Sequence, residues 1–166
     1  MFRRSALFLV LACLLPTILC AAEPGSVEGK LTVGNKSIKL THVYGIDQTN
    51  ESGEHFYKIL FSDVALTDKD LTFFPDAHME LINGDKLHVM KLGLDSARHL
   101  HAVDLFVPNS FPTIEKPAVF DLTKFEGKVL AGRVHLDKPF HDMDGNTYQF
   151  DVKFSVPLRP DTDFLP

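Results

Sequence analysis

The sequence has few residues that supply covalent or redox chemistry. It contains no tryptophan and only two cysteines, Cys13 and Cys20, both within the first twenty residues. If this leading segment is removed on export, the remaining chain has no disulfide, no thiolate nucleophile and no cysteine ligand for a metal. The fold must then rest on its hydrophobic core alone.

Long apolar runs are also missing after the first twenty residues, so we expect no transmembrane segment. The chain opens MFRRSALFLVLACLLPTILCAAEPG, with two arginines, an apolar run and then small residues. This order is typical of a secretory signal peptide. We predict that residues 1–22 are removed and that the protein is periplasmic or secreted. The alternative is a lipoprotein anchored at Cys20, and the bulky Leu19 before it argues against this.

The charge pattern and the missing motifs exclude several classes of function. The formal net charge is −5 and no basic cluster with interleaved aromatic residues occurs, so nucleic acid is not an expected partner. The chain has no G-x-S-x-G, no H-E-x-x-H and no phosphate-binding glycine loop. These absences favour a protein that is not an enzyme.

Alternating apolar and polar residues mark strands at both ends of the chain. In VEGKLTVGNKSIKLTHVY the Gly34-Asn35 pair predicts a two-residue hairpin turn that places Leu31 opposite Ile38. In NTYQFDVKFSVPL every second residue is apolar, which predicts a strand with Phe154 inward and Lys153 outward.

The middle of the chain contains further strand patterns separated by turn residues. HFYKILFSD, KLHVMKLGL, HLHAVDLFV, PAVFDLTKF and GKVLAGRVHL are strand candidates, and residues 76–82 suggest one short helix. We predict an all-β fold, either an antiparallel β-sandwich or a partly closed β-barrel of about seven to nine strands. The single β domain is expected at residues 23–158 and a C-terminal tail at residues 159–166.

Two segments resemble an uncharacterised group of secreted bacterial β-domain proteins. Members open with a G-x-L-T-V hairpin leading to L-x-H-x-Y and close on an F-x-V-x-F-x-x-P-L strand. Here these motifs are VEGKLTVGNKSIKLTHVY and YQFDVKFSVPL. The resemblance implies a secreted β domain and assigns no catalytic residue.

The segment RHLHAVDLF contains the clearest candidate for a metal site. His99 and His101 share one face of the predicted strand with Val103, so we expect both to point toward the core. Pairing with the preceding strand is predicted to place Leu92 opposite His101. Ordinary structural histidines are the favoured interpretation. The alternative is a zinc or copper site with His42, which is also predicted to face inward, as third ligand.

The loop HDMDGNTY places acidic and amide oxygens at alternating positions, as calcium requires, but its glycine and twelfth residue do not fit an EF-hand. We predict an ordinary turn. The favoured function is a non-enzymatic domain that binds a partner protein or a small ligand and needs no cofactor. The alternative is a periplasmic metal-binding protein or metal-dependent hydrolase that uses His99 and His101.

Overall fold

The computed structural model describes residues 25–72 and 74–164. The predicted signal peptide therefore lies outside the described residues. The strands are β1 (Ser26–Val33), β2 (Lys36–Lys39), β3 (His42–Thr49), β4 (His55–Ser62), β5 (Val89–Leu94), β6 (Leu100–Phe106), β7 (Thr113–Ile114), β8 (Ala118–Glu126), β9 (Val129–Leu136), β10 (Phe140–His141) and β11 (Thr147–Pro160). The helices are α1 (Asp68–Thr72) and α2 (Met79–Asn83), with 3₁₀ helices at Asp76–His78 and Asp161–Phe164.

The strands form one curled sheet that makes a half-barrel, which confirms the predicted β fold and decides for the partly closed barrel over the sandwich. The long strand β11 joins its two halves. Residues 148–157 of β11 pair antiparallel with β1 and β9. Residues 158–160 then pair with β3 in parallel, a departure from the fully antiparallel sheet that was predicted. Gly45 permits this pairing, because an added Cβ would lie 2.8 Å from the Pro157 carbonyl oxygen.

The first hairpin has the predicted register, with Leu31 opposite Ile38 and Val33 opposite Lys36. Its second strand is shorter than predicted and ends at Lys39. A new strand, β3, begins at His42 and pairs with β4 instead of β1. Leu40 and Val43 are both buried, although residues three apart on one continuous strand would face opposite sides of the sheet. The alternation of buried and exposed residues therefore changes phase near residue 41.

Aromatic side chains occupy the concave face of the half-barrel. Tyr148, Phe150 and Phe154 from β11 are at most 2% exposed, and Phe61 from β4 is fully buried. The rings of Phe61 and Phe154 meet edge to face at 5.0 Å, a favourable aromatic geometry. The core thus joins β11 to β4 through side chains as well as through the sheet.

A helical segment covers part of the convex face. The short helix predicted at 76–82 is confirmed as a 3₁₀ turn followed by α2. Helix α1 was not predicted, although Thr67 and Asp70 form a reciprocal cap at its start, with Asp70 Oδ2 accepting from the Thr67 N–H at 2.6 Å. Leu71 and Ile82 pack on Leu60 and other apolar side chains of this face as a second, smaller core.

The predicted C-terminal tail takes part in the fold. Strand β11 continues through Pro160, and a 3₁₀ helix follows at Asp161–Phe164. Arg159 donates two hydrogen bonds to the carboxylate of Asp68, at 2.9 and 3.1 Å. This pairing ties the start of α1 to the end of the last strand.

We predict that Phe154→Ala lowers the free energy of unfolding by about 3–5 kcal/mol, because it leaves a cavity among packed rings. Lys153→Ala, one residue away on the exposed face, should cost less than about 0.5 kcal/mol. Urea denaturation of both variants measures the difference. Equal losses would contradict the assignment of the two faces.

Candidate functional site

The structure places His99 and His101 on the surface. The His99 side chain is 80% exposed, and its Nδ1 lies 3.4 Å from the carboxylate of Asp95. His101, within β6, is also exposed. The prediction that both histidines face the core is therefore wrong.

A β-bulge explains the exposure of His101. Gly93 lies opposite Ala102 and Leu94 lies opposite Leu100, so His101 is the extra residue of β6 with no partner across the ladder. A bulged residue leaves the regular alternation of faces. Leu92 lies opposite Val103, two residues further along than predicted, and the bulge accounts for one of these two residues.

His42 lies far from the other two histidines. It is half-buried at the start of β3. Its successive cross-strand partners in the sheet are Ser62 in β4, Val89 in β5 and Phe106 in β6. His101 lies in β6, five residues from Phe106 along that strand and three strands across the sheet from His42. This is a separation from His42 of about 20 Å at ordinary strand spacings. Within residues 25–72 and 74–164, no group of three or more His, Cys, Asp or Glu side chains is placed to hold a metal ion.

Titration with zinc or copper tests whether His99 and His101 bind a metal despite this separation. We expect no site tighter than micromolar, because two exposed histidines lack the third protein ligand and the supporting hydrogen bonds that a stable site needs. His101→Ala is the control. Calorimetry that showed tighter binding in the parent protein and its loss in this variant would contradict the expectation.

A different histidine, His88, lies at the centre of a charged cluster. It is 3% exposed, as expected for a core histidine. Its Nδ1 lies 2.6 Å from Asp63 Oδ2, and its Nε2 lies 2.8 Å from Asp85 Oδ1. Lys36 Nζ donates to the same Asp85 oxygen at 2.5 Å. The cluster links the first hairpin, the end of β4 and the turn after α2.

The arrangement of donors and acceptors makes this cluster a structural clamp. Both ring nitrogens of His88 face carboxylate oxygens, and Lys36 Nζ lies 3.3 Å from Nε2, so the ring connects three charged side chains. Hydrogen bonds from Lys36 and then His88 lower the pKa of Asp85. In the described part of the chain, no hydroxyl or thiol is hydrogen-bonded to His88 as a nucleophile would be.

We predict that the clamp contributes to stability only while Asp85 is ionised. The pKa of Asp85 in the folded protein lies below the ordinary aspartate value of 3.8. The contribution to stability is therefore present above this ordinary value, and it is lost as the pH falls through the lower, folded-state pKa. Asp85→Asn should have a lower Tm than the parent protein at neutral pH, and the two Tm values should converge in strong acid.

Thermal melts across this pH range measure the effect. Asp144→Asn is the matched control, because Asp144 is exposed in the turn before β11. A constant Tm difference between Asp85→Asn and the parent protein at all pH values would contradict the clamp.

The loop before β11 is a turn, as predicted. The carboxylate of Asp142 accepts hydrogen bonds from the backbone N–H groups of Asp144 and Asn146, from the Asn146 amide and from the Tyr148 hydroxyl. Ser110 Oγ lies 2.6 Å from the same Tyr148 hydroxyl. These bonds lower the pKa of Asp142, with Asn146 the largest cause. They use the oxygens that would otherwise bind calcium.

A cleft opens on the convex face, between the sheet and its helical cover. Its volume is about 180 Å³. The sheet supplies the floor, while α1, the following loop and the last 3₁₀ helix supply the walls. The lining residues are Ile46, Gln48, Lys58, Leu60, Leu71, Thr72, Phe74, Pro75, Lys91 and Asp161.

The two lysines of this cleft differ in their partners. Lys91 Nζ lies 2.6 Å from the carboxylate of Asp104 and 5.7 Å from the centre of the Phe106 ring. Lys58 is half-buried, and across the described residues it makes no hydrogen bond or ion pair. Lys58 lies opposite Gly93 and Lys91 opposite Leu60, so the lysines are diagonal neighbours on one face.

Burial lowers the pKa of Lys58, and the nearby charge of Lys91 lowers it further. The carboxylates of Asp161 and Asp104 act in the opposite direction. The charge of Lys58 is thus opposed by burial and by Lys91 and supported by the two nearby carboxylates.

Sequence patterns gave no signal for this cleft. Alternation in HFYKILFSD places Lys58 on the face opposite the core, where a lysine ordinarily contacts solvent. Only the helical cover, which comes from residues 64–87, turns this part of the convex face into a lined cleft. The covering segment was predicted as little more than one short helix.

No protein-family model, curated protein or solved structure matches the chain. The resemblance to secreted bacterial β-domain proteins therefore stays a prediction. No helix within residues 25–72 and 74–164 has the length and apolar character needed to cross a membrane.

Proposed function

We propose that this protein is an exported, non-enzymatic β domain that binds a small organic anion in the cleft of the convex face. The observation that carries the proposal is Lys58, a half-buried cation without an ion-pair partner among the described residues. Burying a charge is costly unless it is paired. A bound anion supplies the missing partner.

The walls of the cleft favour an anion with an apolar body. Ile46, Leu60, Leu71, Phe74 and Pro75 contribute hydrocarbon surface. Gln48 and Lys91 add further hydrogen-bond donors beside Lys58. The cleft thus offers apolar contacts and polar groups in about equal measure.

The volume sets the size of the ligand. At about 180 Å³ the cleft is smaller than the roughly 300–1,000 Å³ of pockets for drug-sized ligands. It is slightly larger than the roughly 150 Å³ cavity that holds benzene. A carboxylate of about ten non-hydrogen atoms matches this space, whereas a nucleotide or a long lipid chain is too large for it.

Binding of benzoate, measured by calorimetry or by NMR, tests the proposal. We expect saturable binding that Lys58→Met weakens at least about tenfold, since a hydrogen bond to a charged group contributes about 1.5–3 kcal/mol. Lys39→Met is the matched control, because Lys39 is exposed on β2, away from the cleft.

Benzamide has the same ring without the charge, and it separates anion recognition from apolar contact. We expect it to bind more weakly than benzoate. Equal binding of the two compounds, or unchanged benzoate binding by Lys58→Met, would show that the cleft is not an anion site.

A further inference from the structure

We propose that the free edge of β8 pairs with the same edge of a second copy of this chain, antiparallel and about a two-fold axis. Strand β8 pairs with β9 along one edge, and among the described residues no strand pairs with its other edge. It has nine residues, whereas the edge strands β2 and β7 have four and two. A long strand with an unpaired edge is a template for pairing with another chain.

The free edge carries apolar side chains that the half-barrel leaves in contact with solvent. Leu122 is 44% exposed and Phe125 is 39% exposed. Both lie on the concave side, since Leu122 is opposite the buried Gly132. Phe125 is likewise opposite Leu130, which belongs to the concave core. Apolar side chains that are exposed together on a surface are typical of protein interaction sites.

A β-bulge in β8 changes the alternation of its two faces. Leu122 lies opposite Gly132. Lys124 lies opposite the next residue of β9, Ala131, which leaves Thr123 as the extra residue. A bulged residue interrupts the regular alternation. Even-numbered residues before the bulge and odd-numbered residues after it therefore share the concave face.

This phase allows a register in which two copies of β8 match both in apolar residues and in charge. Phe120 of one copy lies opposite Phe125 of the other, on the concave face. Asp121 lies opposite Lys124 of the other copy, on the convex face. The two-fold axis repeats each contact, which gives two aromatic pairs and two ion pairs. Cross-strand pairs of both kinds stabilise a sheet.

The neighbouring registers lack this match. A shift by two residues in one direction places Asp121 opposite Glu126 of the second copy, and like charges directly opposite each other are destabilising. The same shift in the other direction places Lys124 opposite Val119 and loses both ion pairs. A shift by one residue turns the concave face of one copy toward the convex face of the other. Charge and phase therefore favour a single register.

Both charged side chains are accessible to a second copy. Asp121 is exposed, and its Oδ2 lies 3.7 Å from His135 Nδ1, beyond hydrogen-bond distance. Lys124 is exposed, and its one ion pair within the described residues is with the exposed Glu126, at 3.2 Å. An ion pair between exposed groups contributes little to stability. Lys124 can therefore exchange Glu126 for Asp121 of the second copy at little cost.

Analytical ultracentrifugation of the purified protein, from micromolar to millimolar concentration, tests the pairing. We expect a monomer–dimer equilibrium in the parent protein. Asp121→Lys and Lys124→Asp should each weaken the dimer at least about tenfold, because each places like charges opposite each other twice. Asp144→Lys is the matched control, since it makes the same change of charge in the exposed turn before β11.

An equimolar mixture of Asp121→Lys and Lys124→Asp tests the register itself. Between these two variants each of the two contacts joins opposite charges again, so we expect the mixture to form a heterodimer about as tight as the parent dimer. Thermal melts check that each variant is folded.

Three results would overturn the proposal. The first is a parent protein that stays monomeric up to millimolar concentration. The second is a dimer that Asp144→Lys weakens as much as Asp121→Lys does, or that neither β8 variant weakens. The third is a mixture that associates no more tightly than each folded variant does alone.

Discussion

The fold depends on β11, because this strand belongs to both halves of the sheet. Its first part pairs antiparallel with β1 and β9, and its last three residues pair in parallel with β3. Its inward aromatic residues also fill the concave core, where Phe154 meets Phe61 from the other half. Without this strand the sheet would divide into three parts, β1–β2, β3–β7 and β8–β9, because these parts are paired to one another only through β11.

The same strand sets the position of the candidate site. Arg159, near its end, binds Asp68 at the start of α1, so the helical cover is fixed relative to the sheet. The cleft lies between this cover and the sheet, and Lys58 lines it together with Leu71 of α1 and Asp161 of the last 3₁₀ helix. Lys58 is half-buried there, on the face of the sheet opposite the aromatic core.

The charged networks have a different role from the cleft. Asp63, His88, Asp85 and Lys36 satisfy one another, as do Asp142, Tyr148 and their donors. Each network joins segments that are distant in sequence or closes a turn. Lys58 differs in that it makes no hydrogen bond or ion pair among the described residues, although the carboxylates of Asp161 and Asp104 lie close enough to act on its charge.

Local patterns in the sequence determined the hairpin register, the two faces of the last strand and the β class of the fold, because alternation and turn residues act between neighbours in the chain. The tertiary structure decided what depends on distant segments. A single bulge turned His101 outward, and the strand order placed His42 three strands away from it. The cleft around Lys58 arose only when residues 64–87 folded over the sheet, since the surroundings of a side chain depend on segments that its local sequence does not specify.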